Sequence, residues 1–368
     1  MKTRFHGLDR HKNYSTISTK NREGKEINYI GVCRDLQAWI DKLDGNDCVV
    51  MEASNGSFYW ADQIEERGAS CIIINPYKFK IIKDSWKKTD KIDARNMSEF
   101  LVIEYNSENL QLPTVYKPHK EIRELRKYFA GYNLLKRHQI SYKNHIQAQL
   151  TDEGVKLEKE DKKALFDSEQ SEKILENFNI TDASKTVIRI NLKLLWEVLK
   201  EKERIRLEIL YFGKFFEKEI RLLQTIKGVS AFLVLAFLSD VADVKRFKKL
   251  KQMNAYLGVV CGVKSSGGKS YSGHINKASR KIARSLFTQS IHHIINSNPV
   301  YRKKYEELAE RRGAGRARIA FIRKIFGVMR RMLINETEFN WKDEKLYTVK
   351  LTKYLVEIKN YQEVKESS

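Results

Sequence analysis

The spacing of apolar residues changes character near residue 118, and that change limits the chain to two architectures in succession. Before it, short apolar runs alternate with stretches whose apolar residues recur every three or four. Arg4 to Asp9, Ser15 to Thr19, Cys48 to Glu52 and Ser70 to Asn75 read as strands, and Leu36 to Leu43 and Tyr59 to Arg67 as helices. The pattern predicts an α/β domain over residues 1–117, its sheet covered by helices and its end marked by Pro113 and Pro118. After it only helical spacing persists. Ile122, Leu125, Phe129 and Tyr132 form one stripe. Leu192, Leu195 and Leu199 lead through a polar turn into a second, Ile205, Ile209, Phe212, Phe216, Ile220 and Leu223. These stripes predict a helical connector over residues 118–224, packed as a hairpin or coiled coil with its connection between Thr151 and Glu172. They suit packing within the chain and joining of subunits equally well.

From Thr225 the chain becomes compact and glycine-punctuated, opening TIKGVSAFLVLAFLSDV, which predicts a mostly helical domain over residues 225–335 and a tail over 336–368. Its late helices crowd Arg302, Lys303, Lys304, Arg311, Arg312, Arg316, Arg318, Arg323, Lys324, Arg330 and Arg331 together, more than a solvated face needs. The whole chain carries 69 Lys and Arg against 47 Asp and Glu, a formal charge of +22, which favours a polyanionic partner held through phosphates. No apolar run approaches the roughly 20 residues that cross a bilayer, and MKTRFHGLDRHK has no signal-peptide pattern. A cytoplasmic, nucleoid-associated protein with no membrane partner is expected. Cys33, Cys48, Cys71 and Cys261 form no CxxC pair, and Cys48 and Cys71 fall inside strand-like runs, so they read as core thiols.

Four carboxylates stand out. Asp9 ends the first strand and Glu52 ends VVME, so neighbouring strands would bring both to one sheet edge. Asp90 and Asp93 lie three apart in KTDKIDAR and would share one helix face. Clustered carboxylates repel unless a cation neutralises them, and hard oxygen ligands select Mg²⁺ or Mn²⁺. Lys87, Lys88, Lys91 and Arg95 flank the second pair as phosphate ligands, and Tyr77, Phe79 and Trp86 nearby suit stacking on bases or ordinary core packing. Taken singly, each carboxylate is equally a helix cap or a solvated charge.

The blocks HGLDRHK, VVMEASNG, INPYKFK and KTDKIDARNMSEFL resemble, in order, those of the RuvC-like, RNase H-like DEDD domain of insertion sequence family 110 transposases, which include the pilin-gene invertases. The resemblance implies that Asp9, Glu52, Asp90 and Asp93 bind the catalytic metal ions. A second segment, LGVVCGVKSSGGKSYSGHINKASRKI, is by itself a glycine-rich turn before a basic helix. Its GGKS invites a P-loop reading, but Gly262 stands one residue too early and no strand signal precedes it. The segment resembles the C-terminal block of the same transposases, whose serine before the glycine pair is the DNA nucleophile. That places the role on Ser266, with Ser265 as the register alternative. Lys264, Lys269, Lys277, Arg280 and Arg284 surround it as candidate nucleic-acid ligands. TIKGVS resembles the family's helix-hairpin-helix opening, departing from it at Lys227 and Ser230.

The resemblance further implies a covalent phosphoserine link to DNA, a composite site that can draw on different subunits, donor and target DNA as substrates, a structured bridge RNA as guide, and a homodimer or tetramer. Three other readings fit the residues. A water-using, RuvC-like nuclease would leave no protein–DNA adduct. A DNA invertase of the same family would share all the chemistry. An architectural nucleic-acid binder would need none.

Overall fold

The computed structural model describes residues 1–83, 89–107, 111–266, 269–275 and 279–367, except the side chains of 81–83, 261–266 and 269–275. It divides into two compact units, residues 1–117 and 118–368.

The first unit is an α/β domain. Strands β1 (Arg4–Arg10), β2 (Ser15–Asn21) and β3 (Glu26–Cys33) form a meander; helix α1 (Leu36–Ile40), β4 (Asp47–Glu52), α2 (Ser57–Glu66), β5 (Ser70–Ile74), α3 (Pro76–Lys83) and α4 (Asp90–Asn106) follow. The five strands lie in the order β3-β2-β1-β4-β5. β1, β2 and β3 pair antiparallel, while β4 is parallel to β1 and to β5. Strand alternation sorts the side chains into two cores. Phe5, Cys48, Val50 and Ile74 pack with Phe79 of α3 and Met97, Leu101 and Val102 of α4. Leu8, Ile17, Val49, Met51 and Ile73 pack with α1 and α2 through Leu36, Ile40, Ala61 and Ile64.

β3 was not legible as a strand because it is the sheet edge. Ile27 and Val32 stay exposed, and most of its other side chains are only half-buried, so it never needed the alternation that marks a covered strand. Asp47, fully buried at the start of β4, ties that strand to β1. It accepts from Arg4 Nε at 2.6 Å and the Asp44 amide at 2.7 Å, and lies 2.8 Å from His6 Nε2. Against the cost of burial, His6 and Arg4 hold its carboxyl well below the usual range.

The second unit is mostly helical: α5 (Lys120–Asp152), α6 (Lys159–Leu165), α7 (Ser171–Glu176), α8 (Asp182–Phe212), α9 (Glu217–Leu223), α10 (Ala231–Val241), α11 (Leu250–Tyr256), the hairpin β6 (Cys261–Ser266) and β7 (Lys269–Ile275), α12 (Ile282–Asn296), α13 (Pro299–Arg312), α14 (Ala314–Asn335) and α15 (Glu344–Glu366). The start of α5 shares a core with the end of α8, through Leu125, Phe129, Ile209 and Leu210. The end of α5 shares another with the start of α8, through Ile146, Leu150, Ile188 and Leu192. The two helices therefore run antiparallel. The polar turn expected after Leu199 is instead helix: α8 continues through KEKER, whose residues are strong helix formers and whose Glu203 pairs with Arg206 at 2.7 Å.

α10 is buried along nearly its whole length and forms the centre of the larger core, where its Phe237 meets Phe326 of α14 at a tilt and Phe287 of α12 meets Phe326 edge-on. The turn before it needs glycine: Gly228 has φ +78°, and a Cβ there would stand 2.9 Å from the Ile294 amide. Ser230 caps α10, accepting from the Leu233 amide, and Lys227 pairs with Asp343 at 3.4 Å. The residues read as a tail include α15, which docks on the turn between α9 and α10 through Lys350. Its ammonium donates to the carbonyls of Gln224, of Ile226 at 2.8 Å and of Val229 at 3.1 Å.

Candidate metal centre

Two periodicities bring the acidic residues together. Asp9 has the strand parity of Phe5 and Gly7, and Glu52 that of Cys48 and Val50, so both belong to the sheet face that α4 covers. Leu8 pairs with Met51 across the parallel β1–β4 ladder, so Asp9 and Glu52 stand level at its carboxyl end. α4 begins at that edge. Thr89 caps it by accepting from the Ile92 amide, and Asp90 and Asp93 occupy its first turn, where the helix dipole favours negative charge. Asp93 is buried, while Asp90 and Glu52 are half-buried.

α4 sits this close because of Gly7. A Cβ there would overlap the Ala94 carbonyl oxygen and stand 2.6 Å from the Ser98 amide nitrogen. Below that contact Ser18 and Ser98 share a buried hydrogen bond of 3.1 Å. Arg95 donates twice to Glu26, at 2.7 and 2.5 Å, and lies over the Tyr29 ring. These contacts hold the first turn of α4 over the end of β1.

Asp9, His11 and Asp90 offer ligand atoms that all lie within 4.8 Å of one another. His11 Nε2 is 3.2 Å from Asp9 Oδ2 and 3.3 Å from Asp90 Oδ2. Tyr14 donates to the same Asp90 oxygen at 2.8 Å, which with burial raises its own pKa and keeps it a donor. Its ring stacks on His11 with centroids 4.8 Å apart. The tight β1–β2 turn creates this pair, since the His11 amide donates to the Tyr14 carbonyl. Two carboxylates and an imidazole at this spacing suit a divalent ion, with Mn²⁺ accepting the nitrogen more readily than Mg²⁺. An open groove of about 480 Å³ adjoins the cluster, lined in part by Arg10, His11, Lys12, Arg34 and Trp60.

Sequence reasoning passed over His11 and Tyr14. His11 had a signal: it lies two residues beyond Asp9, on the same strand parity. Tyr14 had none, because only the turn brings it back. Of the expected nucleic-acid ligands, Lys91 lies over the Tyr29 ring and Arg95 is committed to Glu26, while Lys87, Lys88 and Lys277 fall outside the described residues, as does Trp86, read as a stacking or core ring. Phe79 is core, whereas Tyr77 is exposed. Cys33 and Cys48 are buried thiols, and burial pushes Cys48 up to about 11.

Ser266 ends β6 and pairs with Lys269 of β7, with Ser265 paired to Ser270 and Lys264 to Tyr271 in the ladder. Arg284 donates to the Gly258 carbonyl at 2.9 Å, and the Arg280 amide donates to the Tyr256 carbonyl at 2.9 Å, which closes the root of the hairpin. No helix among the described residues is long and apolar enough to cross a membrane.

A family profile described as "Transposase IS116/IS110/IS902 family" matches residues 220–306, from α9 to α13 and through the serine hairpin. The transposase for insertion sequence element IS1111A of Coxiella burnetii (strain RSA 493 / Nine Mile phase I) is 25% identical over 286 residues, 75% of each chain. A probable family 20 transposase of Pseudomonas aeruginosa is 20% identical over 342 residues, 90% of this chain and 94% of that one. Residues 220–306 thus resemble the transposase domain of that family, and most of the chain is similar in sequence to insertion-sequence transposases.

Proposed function

We propose that the protein is a site-specific DNA recombinase of an insertion sequence, with a RuvC-like metal centre on Asp9, Glu52, Asp90 and Asp93 and a serine nucleophile, Ser266. The observation that carries this reading is the meeting of Asp9 and Asp90, from a strand end and a helix start far apart in sequence, within ligand distance of each other and of His11. The strand order with a parallel β1–β4 pair, and both strand-end carboxylates on the α4 face, support it.

Asp9, Glu52, Asp90 and Asp93 would hold Mg²⁺ or Mn²⁺, with His11 as an added nitrogen ligand. A divalent ion so held supplies neutralising charge to a phosphodiester under attack. Ser266 Oγ would form the new P–O bond as a deoxyribose oxygen leaves carrying a proton. Attack by another strand's hydroxyl on that phosphoserine would reverse the step, so bond energy is conserved through exchange instead of being lost to water. Donor and target DNA are the substrates in this reading, a bridge RNA specifies them, and a homodimer or tetramer holds the several cleavages together. The protein would then act at the nucleoid.

The deciding experiment incubates the protein with its co-purified RNA, Mg²⁺ and labelled junction DNA, then looks for label on denatured protein. The expected result is an adduct that is lost in Ser266→Ala and in Asp9→Asn, while Ser265→Ala retains it. Cleaved DNA without adduct, unchanged by Ser266→Ala, would replace this reading with that of a hydrolytic nuclease.

A further inference from the structure

The open groove beside the candidate metal centre carries cations and an aromatic residue that the metal ligands do not use. It holds about 480 Å³ and shares His11 with the cluster of Asp9, His11 and Asp90. Three segments supply its cations: Arg10 from the end of β1, Lys12 from the β1–β2 turn, and Arg34 from between β3 and α1. Arg10 is already engaged, since its Nη2 donates to Ser54 Oγ at 3.1 Å and to the Asn55 carbonyl. Lys12 and Arg34 are exposed, and among the described residues neither forms an ion pair. Asp35 also lines the groove, but its Oδ1 accepts from the Ala38 amide at 2.9 Å as the cap of α1. Among the described lining residues, three cations thus stand against one carboxylate.

Trp60, on α2, is the aromatic residue. It is half-buried, packing in part against the core that holds Leu8 and Met51, and it lines the groove. Tyr59 meets its ring edge-on, with centroids 5.0 Å apart. Gly56 keeps the space beside it open: its φ is +82°, and a Cβ there would stand 3.8 Å from Arg10 Nη2 and 3.9 Å from Trp60 Nε1. Packing alone explains why Trp60 is partly covered. It does not explain why the residue borders a groove with two solvated cations. An aromatic ring beside free cations is how proteins hold single-stranded nucleic acid, the base stacking on the ring and the phosphate meeting the charge. A base inside a duplex has both faces covered by its neighbours, so only a nucleotide drawn out of the stack can offer one. The groove falls within the roughly 300–1,000 Å³ of sites that take small molecules, which is room for a nucleotide and not for a duplex.

We propose that the groove lined by Lys12, Arg34 and Trp60 binds one unpaired nucleotide of the DNA strand to be cut, beside the phosphodiester at the metal centre. Its base lies against the Trp60 ring, and its phosphate meets Lys12 and Arg34. Because His11 belongs both to the groove and to the metal cluster, a nucleotide held there sets which phosphodiester reaches Asp9 and Asp90. The groove also favours junctions and unpaired sites over intact duplex, since drawing a base from a duplex costs unstacking and unpairing that an open site has already undergone. This inference rests on the recombinase reading, which supplies DNA as the ligand.

The test irradiates the full-length protein, with Mg²⁺, in the presence of a thymidine pentanucleotide whose central base is 5-iodouracil, which cross-links to an aromatic ring stacked on it. Peptide mass spectrometry is expected to place a cross-link on Trp60, and its yield against pentanucleotide concentration gives Kd for this site alone. Cross-links on the exposed Trp341 and none on Trp60 would overturn the proposal. Arg34→Gln and Lys12→Gln alter exposed side chains, so the melting temperature should hold while each weakens binding about fivefold and lowers the slope of log Kd against log salt by about 0.7. Lys25→Gln, in the β2–β3 turn at the opposite end of these strands, should leave both quantities alone. Unchanged Kd and slope in both groove variants would sink the site. Competition by a fully paired duplex as strong as that by the single strand would overturn the unpaired nucleotide, and stronger competition by an RNA pentanucleotide would overturn DNA. A serine adduct in the trapping assay without any cross-link on Trp60 would remove this groove and leave the recombinase reading standing. A Trp60 cross-link in protein that forms no adduct would uphold the groove and count against Ser266.

Discussion

Asp240 shows how much one buried carboxylate can cost a fold. Burial first, against the Ala283 amide and the nearby Arg280 and Arg126, lifts its carboxyl to about 6 from an ordinary 3.8. A folded-state value above the unfolded one means the folded chain binds the proton more tightly. The stability this confers is complete below about pH 4 and is lost as pH rises through 6. Asp240→Asn keeps an oxygen for the Ala283 amide and removes the ionisation, so it should raise stability at pH 7.5 by up to about 3 kcal/mol and change little at pH 3.5. Thermal melts of both proteins across pH 3.5–8 check this, and a difference that does not vary with pH would refute it. The placement of Asp9 and Glu52 at strand ends and of Asp90 and Asp93 in one helix turn was legible in the sequence, because these are local patterns. His11 and Tyr14 were not singled out, because their partnership depends on how a four-residue turn closes. Arg126, Arg246 and Arg280, which act together on Tyr256, come from three separate segments, and no sequence window contains them.

Among the elements, α4 decides whether the carboxylates meet, and Gly7 decides where α4 lies. Gly7→Ala adds one methyl group against the Ala94 carbonyl and the Ser98 amide, both helix backbone that cannot rotate away. The helix must shift as a body, which carries Asp90 away from Asp9. The expected cost is about 2–3 kcal/mol, a fall in melting temperature on the order of 10 °C for a domain of this size, together with weaker Mn²⁺ binding although no ligand has changed. Gly45→Ala is the control, since nothing lies within 4 Å of its added Cβ. Equal melting temperatures for the two variants would show that α4 is not held by this contact. The elements legible in the sequence were those whose burial writes an apolar pattern: β1, β4 and β5, covered on both faces, the amphipathic α5, and the wholly apolar α10. β3 escaped because an edge strand is covered too little to show its period. α8 was read as broken at KEKER because that turn faces solvent, where charge reports exposure and says nothing about whether the helix stops. α15 was read as a tail; its buried residue is Tyr354, and its anchor is Lys350, a polar residue that no apolar pattern would pick out.

At the scale of the molecule, the two units have separate hydrophobic cores, and the candidate metal ligands all belong to residues 1–117. A ligand that binds only the folded form of one unit stabilises that unit by RT ln(1 + [L]/Kd), about 2.7 kcal/mol at a hundredfold excess over Kd. Calorimetry of the whole protein should therefore resolve two unfolding transitions, of which Mn²⁺ raises one by several degrees and leaves the other in place. The metal-sensitive transition should be the one that Gly7→Ala lowers and the other the one that Asp240→Asn raises, which assigns each without cutting the chain. Asp9→Asn should abolish the Mn²⁺ shift while its transition survives, because Asp9 sits at a strand end and not in either core. If Mn²⁺ moved both transitions equally, the ion would be binding something other than the cluster of Asp9, His11 and Asp90, and the metal centre would have to be sought elsewhere in the chain.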